Sequence, residues 1–348
     1  MHIGLVIYGS LDTLSGGYLY DRKLVEYLHG QGDNIRIISL PWRNYAAHLT
    51  DNFYFHLPKN LDILIEDELN HPSLIATNAG KHFYPVVSLV HHLRCSELRP
   101  SWQNTFYRTI EKKYLQSVDG FIFNSETTKN VVNGIIDDEK KSVVAFPPTD
   151  RFGEQISENE IIERAKTPKF RILFLGNVIR RKGLHTLLEA LRHQAFDVKL
   201  DVVGSLASDP AYVQNTMKQI ADYDLSSIVH FHGSLDNTPL IELLKQSHVL
   251  VVPSSYEGFG IVYLEGMGFG LPAIGTTVGA AGEIITHSEN GFLIQPDDAE
   301  ALAKYLSDLV SNRNLLTQLS INALKRFRQQ PKWEQAAGRI RTFLLSMI

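Results

Sequence analysis

Two successive series of short apolar runs, each run followed by a stretch of helical period, constrain this chain more than any other feature. The first series reads Ile3 to Tyr8, Ile35 to Leu40, Ile63 to Ile65, Val86 to Val90, Gly120 to Phe123 and Val143 to Ala145. The second reads Arg171 to Leu175, Lys199 to Val203, Ile228 to Phe231, Val249 to Val252, Ala273 to Ile274 and Phe292 to Ile294. Apolar runs of this length suit strands buried on both faces, and strands that alternate with helices pair in parallel through crossover connections. The chain is therefore read as α/β, with two doubly wound parallel-sheet domains. A length of 348 residues also exceeds what one compact core organises. The expected boundaries are 1–150 for the first domain, a linker over 151–168 after the strand-stopping Pro147-Pro148, and 169–330 for the second. From Pro331 onward, Trp333, Ala336, Ile340, Phe343 and Leu344 recur at helical spacing, which gives an amphipathic final helix. Ligands of doubly wound sheets bind beyond the carboxyl ends of the strands, so the expected site lies in a cleft that both domains face.

Charge excludes one class of partner. The net charge of −4 and the absence of a basic half argue against nucleic acid, so any phosphate binding has to be local. Cys95 is the only cysteine, which rules out an intrachain disulfide and fits a reducing, cytoplasmic setting. The run from His2 to Tyr8 lacks the basic flank of a signal peptide, and no apolar stretch approaches the ~20 residues that span a bilayer.

The chemistry concentrates in Glu257-Gly-Phe-Gly-Ile-Val-Tyr-Leu-Glu265, which follows an apolar run and precedes a glycine-rich helix. Gly258 and Gly260 let the backbone approach a ligand, and a helix beginning near Phe259 points unpaired N–H groups and its positive end at an anion. Gly258, Phe259, Gly260, Ile261 and Val262 thus form a candidate diphosphate cradle. Eight residues separate the two carboxylates, a little over two helical turns, or about 12 Å of rise. Glu257 can accept hydrogen bonds from sugar hydroxyls while Glu265 holds a ribose diol. The plain alternative is a strand-turn-helix whose glycines serve packing and whose glutamates are solvated.

This segment resembles the E-x7-E signature of the retaining glycosyltransferases of family 4, the group 1 family, which have the two-domain GT-B fold. The resemblance continues in order through Pro253 to Gly260, Glu265-Gly-Met-Gly-Phe-Gly-Leu-Pro-Ala-Ile-Gly-Thr276, Val278-Gly-Ala-Ala-Gly-Glu-Ile-Ile285 and Glu289-Asn-Gly-Phe-Leu-Ile294. It is dense over about residues 170 to 330. It implies transfer of a hexose from a nucleoside-diphosphate sugar, with retained anomeric configuration, to a hydroxyl of a saccharide or lipid-linked saccharide. Family frequency favours UDP-glucose. No cofactor and no metal are implied, and the final helix, about 331–348, is implied to cross back onto the first domain.

Other positions take roles from the same resemblance. Phe174-Leu-Gly-Asn-Val-Ile-Arg-Arg-Lys-Gly183 follows a strand and opens the helix from Leu184 to His193. Lys182 matches the family's phosphate-binding lysine, but Asn177 stands where a basic residue is usual, so Arg180 or Arg181 takes the place of the clamp. Gly16 and Gly17, where the first strand meets the first helix, match paired glycines near the donor phosphate. His91 matches a histidine near the donor sugar and His92 replaces a common aspartate; as neighbours on a strand they face opposite ways, and only one enters a cleft. The expected catalytic set is His91, Arg181, Lys182 and Glu257, and the donor-binding set is Gly16, Gly17, Arg180, Gly258 to Val262 and Glu265.

Three further signals carry less. Asp222-Tyr-Asp224 has a D-x-D pattern but reads as a solvated helix end, and His230-Phe-His232 lacks the third ligand that a zinc site needs. Leu98 to Val118 is a basic amphipathic helix that either packs on its domain or touches an anionic bilayer. Pro41 to Pro58 is aromatic-rich and loop-like, a candidate for acceptor recognition. Two other functions fit the same cleft: a nucleotide-sugar epimerase, and a sugar-nucleotide-binding protein without activity.

Overall fold

In a computed structural model, which describes residues 1–13, 15–80, 82–148, 151–152, 156–192 and 197–348, the two series of apolar runs form two separate six-stranded sheets. Met1–Pro148 with Pro331–Ile348 make one compact unit, and Thr149–Gln330 make the other.

Unit 1 holds β1 (His2–Tyr8), β2 (Asn34–Leu40), β3 (Ile63–Asp67), β4 (Val86–Val90), β5 (Gly120–Phe123) and β6 (Lys141–Val144). They lie in the order β2-β1-β3-β4-β5-β6, and every pairing is parallel. Its helices are α1 (Gly16–Gly30), α2 (Tyr45–Asp51), α3 (His71–Asn78), α4 (Ser101–Ser117) and α5 (Glu126–Asn133). The period of two along β1 explains the layering. Ile3, Leu5 and Ile7 pack with Leu24 of α1 on one face, while Val6 and Tyr8 pack with Leu74, Tyr114 and Phe121 on the other.

Unit 2 repeats the plan with β7 (Phe170–Leu175), β8 (Val198–Val203), β9 (Val229–Gly233), β10 (Val249–Val251), β11 (Ala273–Thr276) and β12 (Gly291–Ile294). The order is β12-β11-β10-β7-β8-β9, again all parallel. Helices α6 (Glu158–Ala165), α7 (Leu184–Leu191), α8 (Pro210–Asp222), α9 (Asn237–Gln246), α10 (Ile261–Met267), α11 (Ala299–Ser311) and α12 (Arg313–Arg328) complete it. The chain then re-enters unit 1 as α13 (Trp333–Leu345). There Ala337, Ile340 and Leu344 join the core formed by Ile3, Leu5 and Leu24, and the Arg341 Nε donates to Asp33 at 2.7 Å.

Local chemistry corrects three expectations. Pro41 to Pro58 is not one loop: Asn44 accepts from the Ala47 amide and starts α2, which a turn-rich composition concealed. The stretch 151–168 contains α6, started by a reciprocal capping box between Ser157 and Glu160. The helix expected near Phe259 starts two residues later, because Gly260 at φ +93° cannot continue a right-handed helix. The expected end of the Leu184 helix at His193 lies outside the described residues. Among the described residues no helix is long and apolar enough to cross a membrane.

Candidate active site

In unit 2 the chain leaves β7 toward β8 on one side, and its later return places β10 on the other side of β7. This is the topological switch point, where loops leave the sheet in opposite directions and open a crevice beyond the strand ends. Lys182 follows β7 and Glu257 follows β10, so sheet order alone brings these distant residues together. The Lys182 Nζ donates to the Glu257 Oε1 at 2.6 Å. The Ser254 hydroxyl donates to the same oxygen at 2.6 Å, and the Arg181 Nη1 lies 3.8 Å from Oε2 while donating to the Tyr256 carbonyl at 2.7 Å.

Glycines make this contact possible. Gly183 adopts φ +73° after the turn Arg180–Lys182, and a Cβ there would stand 2.1 Å from the Pro253 carbonyl oxygen. The two loops can touch only through a residue without a side chain. Gly279 does the same on the far side, where a Cβ would stand 2.2 Å from the Glu257 carbonyl oxygen, itself the acceptor for the Ala280 amide. The loop from Pro253 to Glu257 is thus packed closely at both ends, by Gly183 on Pro253 and by Gly279 on Glu257.

The electrostatics follow from burial. Side-chain exposure is only 13% for Lys182 and 8% for Glu257, so neither charge is well solvated. Burial alone would raise the Glu257 pKa, but Lys182, Arg181 and the Ser254 hydroxyl bring it down to about 2. For Lys182 burial outweighs the attraction of Glu257 and the pKa falls below the ordinary lysine value. One ammonium proton is engaged by Glu257, which leaves two donors on Nζ for another ligand. The Glu257 Oε2 makes no hydrogen bond among the described residues and keeps its lone pairs for a donor.

Glu265 occupies α10, which starts at Ile261 after the left-handed Gly260. The first-turn amides, those of Ile261 and Val262 among them, have no acceptor within the helix. Glu265 is 6% exposed, and burial raises its pKa against the opposing pull of Arg151. The Arg151 Nη1 donates to Oε1 at 2.6 Å and Nη2 donates to Asn237 at 3.0 Å. Arg151 was not singled out by sequence reasoning, since a lone arginine at a domain boundary carries no periodicity or motif. Phe259 is buried, and Gly258 beside it is partly exposed.

The two arginines left open by the sequence differ sharply. Arg181 is committed to the Tyr256 carbonyl and Glu257, whereas Arg180 is exposed and makes no ion pair among the described residues.

The remaining candidates, Gly16, Gly17 and His91, belong to unit 1. Gly16 and Gly17 form the first turn of α1, capped by the Ser15 hydroxyl, which accepts from the Tyr18 amide. His91 follows β4 and lies against Gly17, where an added Cβ would be 3.4 Å from its ring. Its Nε2 is 3.1 Å from the Asp21 Oδ1, and its amide donates to Glu68 at 2.9 Å. His92 turns elsewhere, with Nε2 3.1 Å from Glu97. Asp21 and Glu68 escaped notice because their partners are far away in sequence.

The other motifs also found places. Asp222 ends α8, and Asp224 is exposed at φ +55°. His232 hydrogen-bonds Asp201 at 2.7 Å. On α4, Tyr114 and Leu115 are buried while Trp102 and Phe106 are 70% and 50% exposed.

Residues 155–326 match the family described as glycosyl transferases group 1. The capsular polysaccharide biosynthesis glycosyltransferase CapM of Staphylococcus aureus is 24% identical over 257 residues, 68% of this chain and 64% of that relative. Other curated relatives are matched over about half their own length. Among solved structures, sucrose-phosphate synthase from Thermosynechococcus elongatus superposes with a TM-score of 0.83 at 20% identity, covering 99% of this chain and 98% of that one. Anabaena HepE, in complex with UDP and glucose, gives 0.77 at 17% identity, covering 99% of each chain. These likenesses show the fold: two Rossmann-like parallel-sheet domains of the GT-B class.

Proposed function

We infer the activity of this chain from the family to which it belongs, through residues 155–326, the group 1 glycosyltransferases. The reading is transfer of a hexose from a nucleoside-diphosphate sugar to a hydroxyl of a saccharide or lipid-linked saccharide, as in polysaccharide biosynthesis, with retained configuration and no metal. UDP-glucose is the proposed donor; the UDP and glucose bound by the HepE neighbour support that choice. The observation that carries the reading is the buried Lys182–Glu257 pair beside Gly258, at the switch point of the unit 2 sheet.

Each residue has a distinct task. As the glycosidic bond breaks, negative charge grows on the departing diphosphate. The two unengaged Lys182 donors, the exposed Arg180 and the amides from Gly258 to Val262 stabilise that charge, and one such donor contributes about 3–4 kcal/mol at the transition state. Arg181 holds the loop that carries Glu257 through the Tyr256 carbonyl. The Glu257 Oε2 accepts from sugar hydroxyls, and the second Glu265 oxygen accepts from the ribose diol. A departing phosphate oxygen takes the acceptor proton, so no protein nucleophile is needed. The exposed Trp102 and Phe106 on α4 support a peripheral contact with a membrane carrying a lipid-linked acceptor, on the cytoplasmic face.

The test has two stages. A panel of nucleotide sugars is screened by thermal shift, where a ligand at 100 times its Kd adds about 2.7 kcal/mol. The best donor is then incubated with saccharide acceptors, and product configuration is read by NMR. No stabilising nucleotide sugar, or solvent isotope entering the sugar nucleotide without any acceptor, overturns the reading, the second in favour of an epimerase.

A further inference from the structure

Near the start of unit 2, Arg151 reaches across to Glu265 in α10, and the groups that hold its side chain belong to the same unit. Its Nη1 donates to the Glu265 Oε1 at 2.6 Å, and its Nη2 donates at 3.0 Å to Asn237, the first residue of α9. The guanidinium carbon stands 4.6 Å from the centre of the Phe152 ring. That ring in turn meets the fully buried Phe269 edge-on, 5.8 Å between centroids. Asn237 on one side and Phe152 on the other therefore fix the direction from which the cation approaches Glu265.

The form of the pair sets it apart from one that only ties two elements together. A guanidinium can grip both oxygens of a carboxylate through parallel hydrogen bonds. Here its two nitrogens are divided between Glu265 and Asn237, so the Glu265 Oε2 has no hydrogen-bond partner among the described residues and is not sealed from solvent. The Glu265 side chain is 6% exposed, against 30% for Arg151. A carboxylate so withdrawn from water favours the neutral form unless a cation offsets the burial. The elements packed on α10 bring no second cation to it among the described residues: β10 presents Leu250 to Gly266, β11 presents Gly275 to the Tyr263 ring, and α12 presents Phe327 to Gly268. Arg326 of α12 is occupied by Gln330 and the Glu283 carbonyl, and Lys182 and Arg181 face Glu257. Tyr263, the other titratable group of α10, donates its hydroxyl to the Val252 carbonyl.

We propose that Arg151 is a positioning residue for donor binding: it holds the Glu265 carboxylate by Oε1 so that Oε2 meets the ribose diol of the sugar nucleotide as a charged acceptor. The inference rests on the activity proposed above. Burial raises the Glu265 pKa and Arg151 opposes the rise. Without Arg151 the carboxyl pKa climbs further, so the acceptor is neutralised at a higher pH than in the wild type. Donor affinity is then lost in mild acid and returns as pH rises through the new pKa.

The test measures UDP-glucose affinity of the full chain by calorimetry from about pH 5 to about pH 9, for the wild type, Arg151→Gln and Arg151→Lys. The midpoint at which affinity is lost in acid moves up by more than about one unit in Arg151→Gln and stays near the wild-type value in Arg151→Lys. Below the new midpoint Kd rises about 10- to 100-fold, the worth of a hydrogen bond to a charged group, and above it the variant approaches the wild type. In transfer assays donor KM follows the same pattern while kcat changes little. Arg151→Gln adds nothing further in the Glu265→Gln background. An unmoved midpoint, a loss equal at every pH, or additive losses overturns the proposal. Should Arg151→Gln fail to fold, Asn237→Ala, which removes the brace and leaves the charge, takes its place, and a loss that persists in the Glu265→Gln background overturns the proposal. A wild type that binds no nucleotide sugar, with the Glu265 carboxyl still titrating higher in Arg151→Gln by carbon NMR, refutes the activity and not the pairing of Arg151 with Glu265.

Discussion

Replacing Lys182 with methionine keeps the length of the side chain and removes its charge, which isolates the worth of the pair with Glu257. Both partners are largely withdrawn from solvent, and removing one member of such a pair costs about 3–5 kcal/mol because the other charge is left stranded. Arg181, 3.8 Å from Oε2, and the Ser254 hydroxyl still reach Glu257, so the low end, about 3 kcal/mol, is expected. For a unit of this size each kcal/mol moves the melting temperature by about 2–4 °C, which predicts a drop of about 6–12 °C at pH 7. The drop also has a pH signature. Wild-type Glu257, held at about 2 against an ordinary 4.5, contributes stability that is complete above pH 4.5 and is lost as pH falls toward 2. Without Lys182 the carboxyl pKa rises, so protonation relieves the variant as the wild type loses its advantage. Calorimetry from pH 7 to pH 3 should show the gap narrowing. The double variant Lys182→Met with Glu257→Gln, which retains a partner for Ser254, should recover most of the stability and none of the activity. A gap under about 2 °C at pH 7, or one that does not narrow in acid, refutes the reasoning.

Three other outcomes follow from geometry already described. Glu265→Gln should raise donor KM about 10- to 100-fold, the worth of a hydrogen bond to a charged group, with kcat changed little in steady-state assays. Gly183→Ala has to place a Cβ 2.1 Å from the Pro253 oxygen at φ +73°, and should lower stability by about 3 kcal/mol or more in urea titration, with transfer activity lost. Ile340→Ala, at a fully buried position of α13, should cost about 2–5 kcal/mol by the same measurement while leaving donor binding intact in unit 2.

The sheets were legible because buried parallel strands are nearly uninterrupted apolar runs, and strand ends such as Val86–Val90 were read to the residue. The pairing of Lys182 with Glu257 was legible only as a shared motif neighbourhood; its direct contact depends on sheet order, which local pattern does not encode. Helix α2 was missed because its start is set by one Asn44 hydrogen bond within an aromatic, loop-like stretch. Arg151 and Asp21 were missed for a different reason. Each acts through a partner 114 or 70 residues away, and a single charged residue without a local signature gives no sign of where it will be buried.

Unit 2 is one uninterrupted stretch of chain, whereas unit 1 is completed by α13 after unit 2 has been traversed. During synthesis the first six strands therefore emerge well before Ala337, Ile340 and Leu344, the residues that cover one side of their core. Until those residues leave the ribosome, the apolar surface around Leu24 stays uncovered, while the stretch carrying Lys182 and Glu257 already has every strand it needs. Assembly is thus ordered by connectivity: the second-made unit can mature first, and the first-made unit waits for α13.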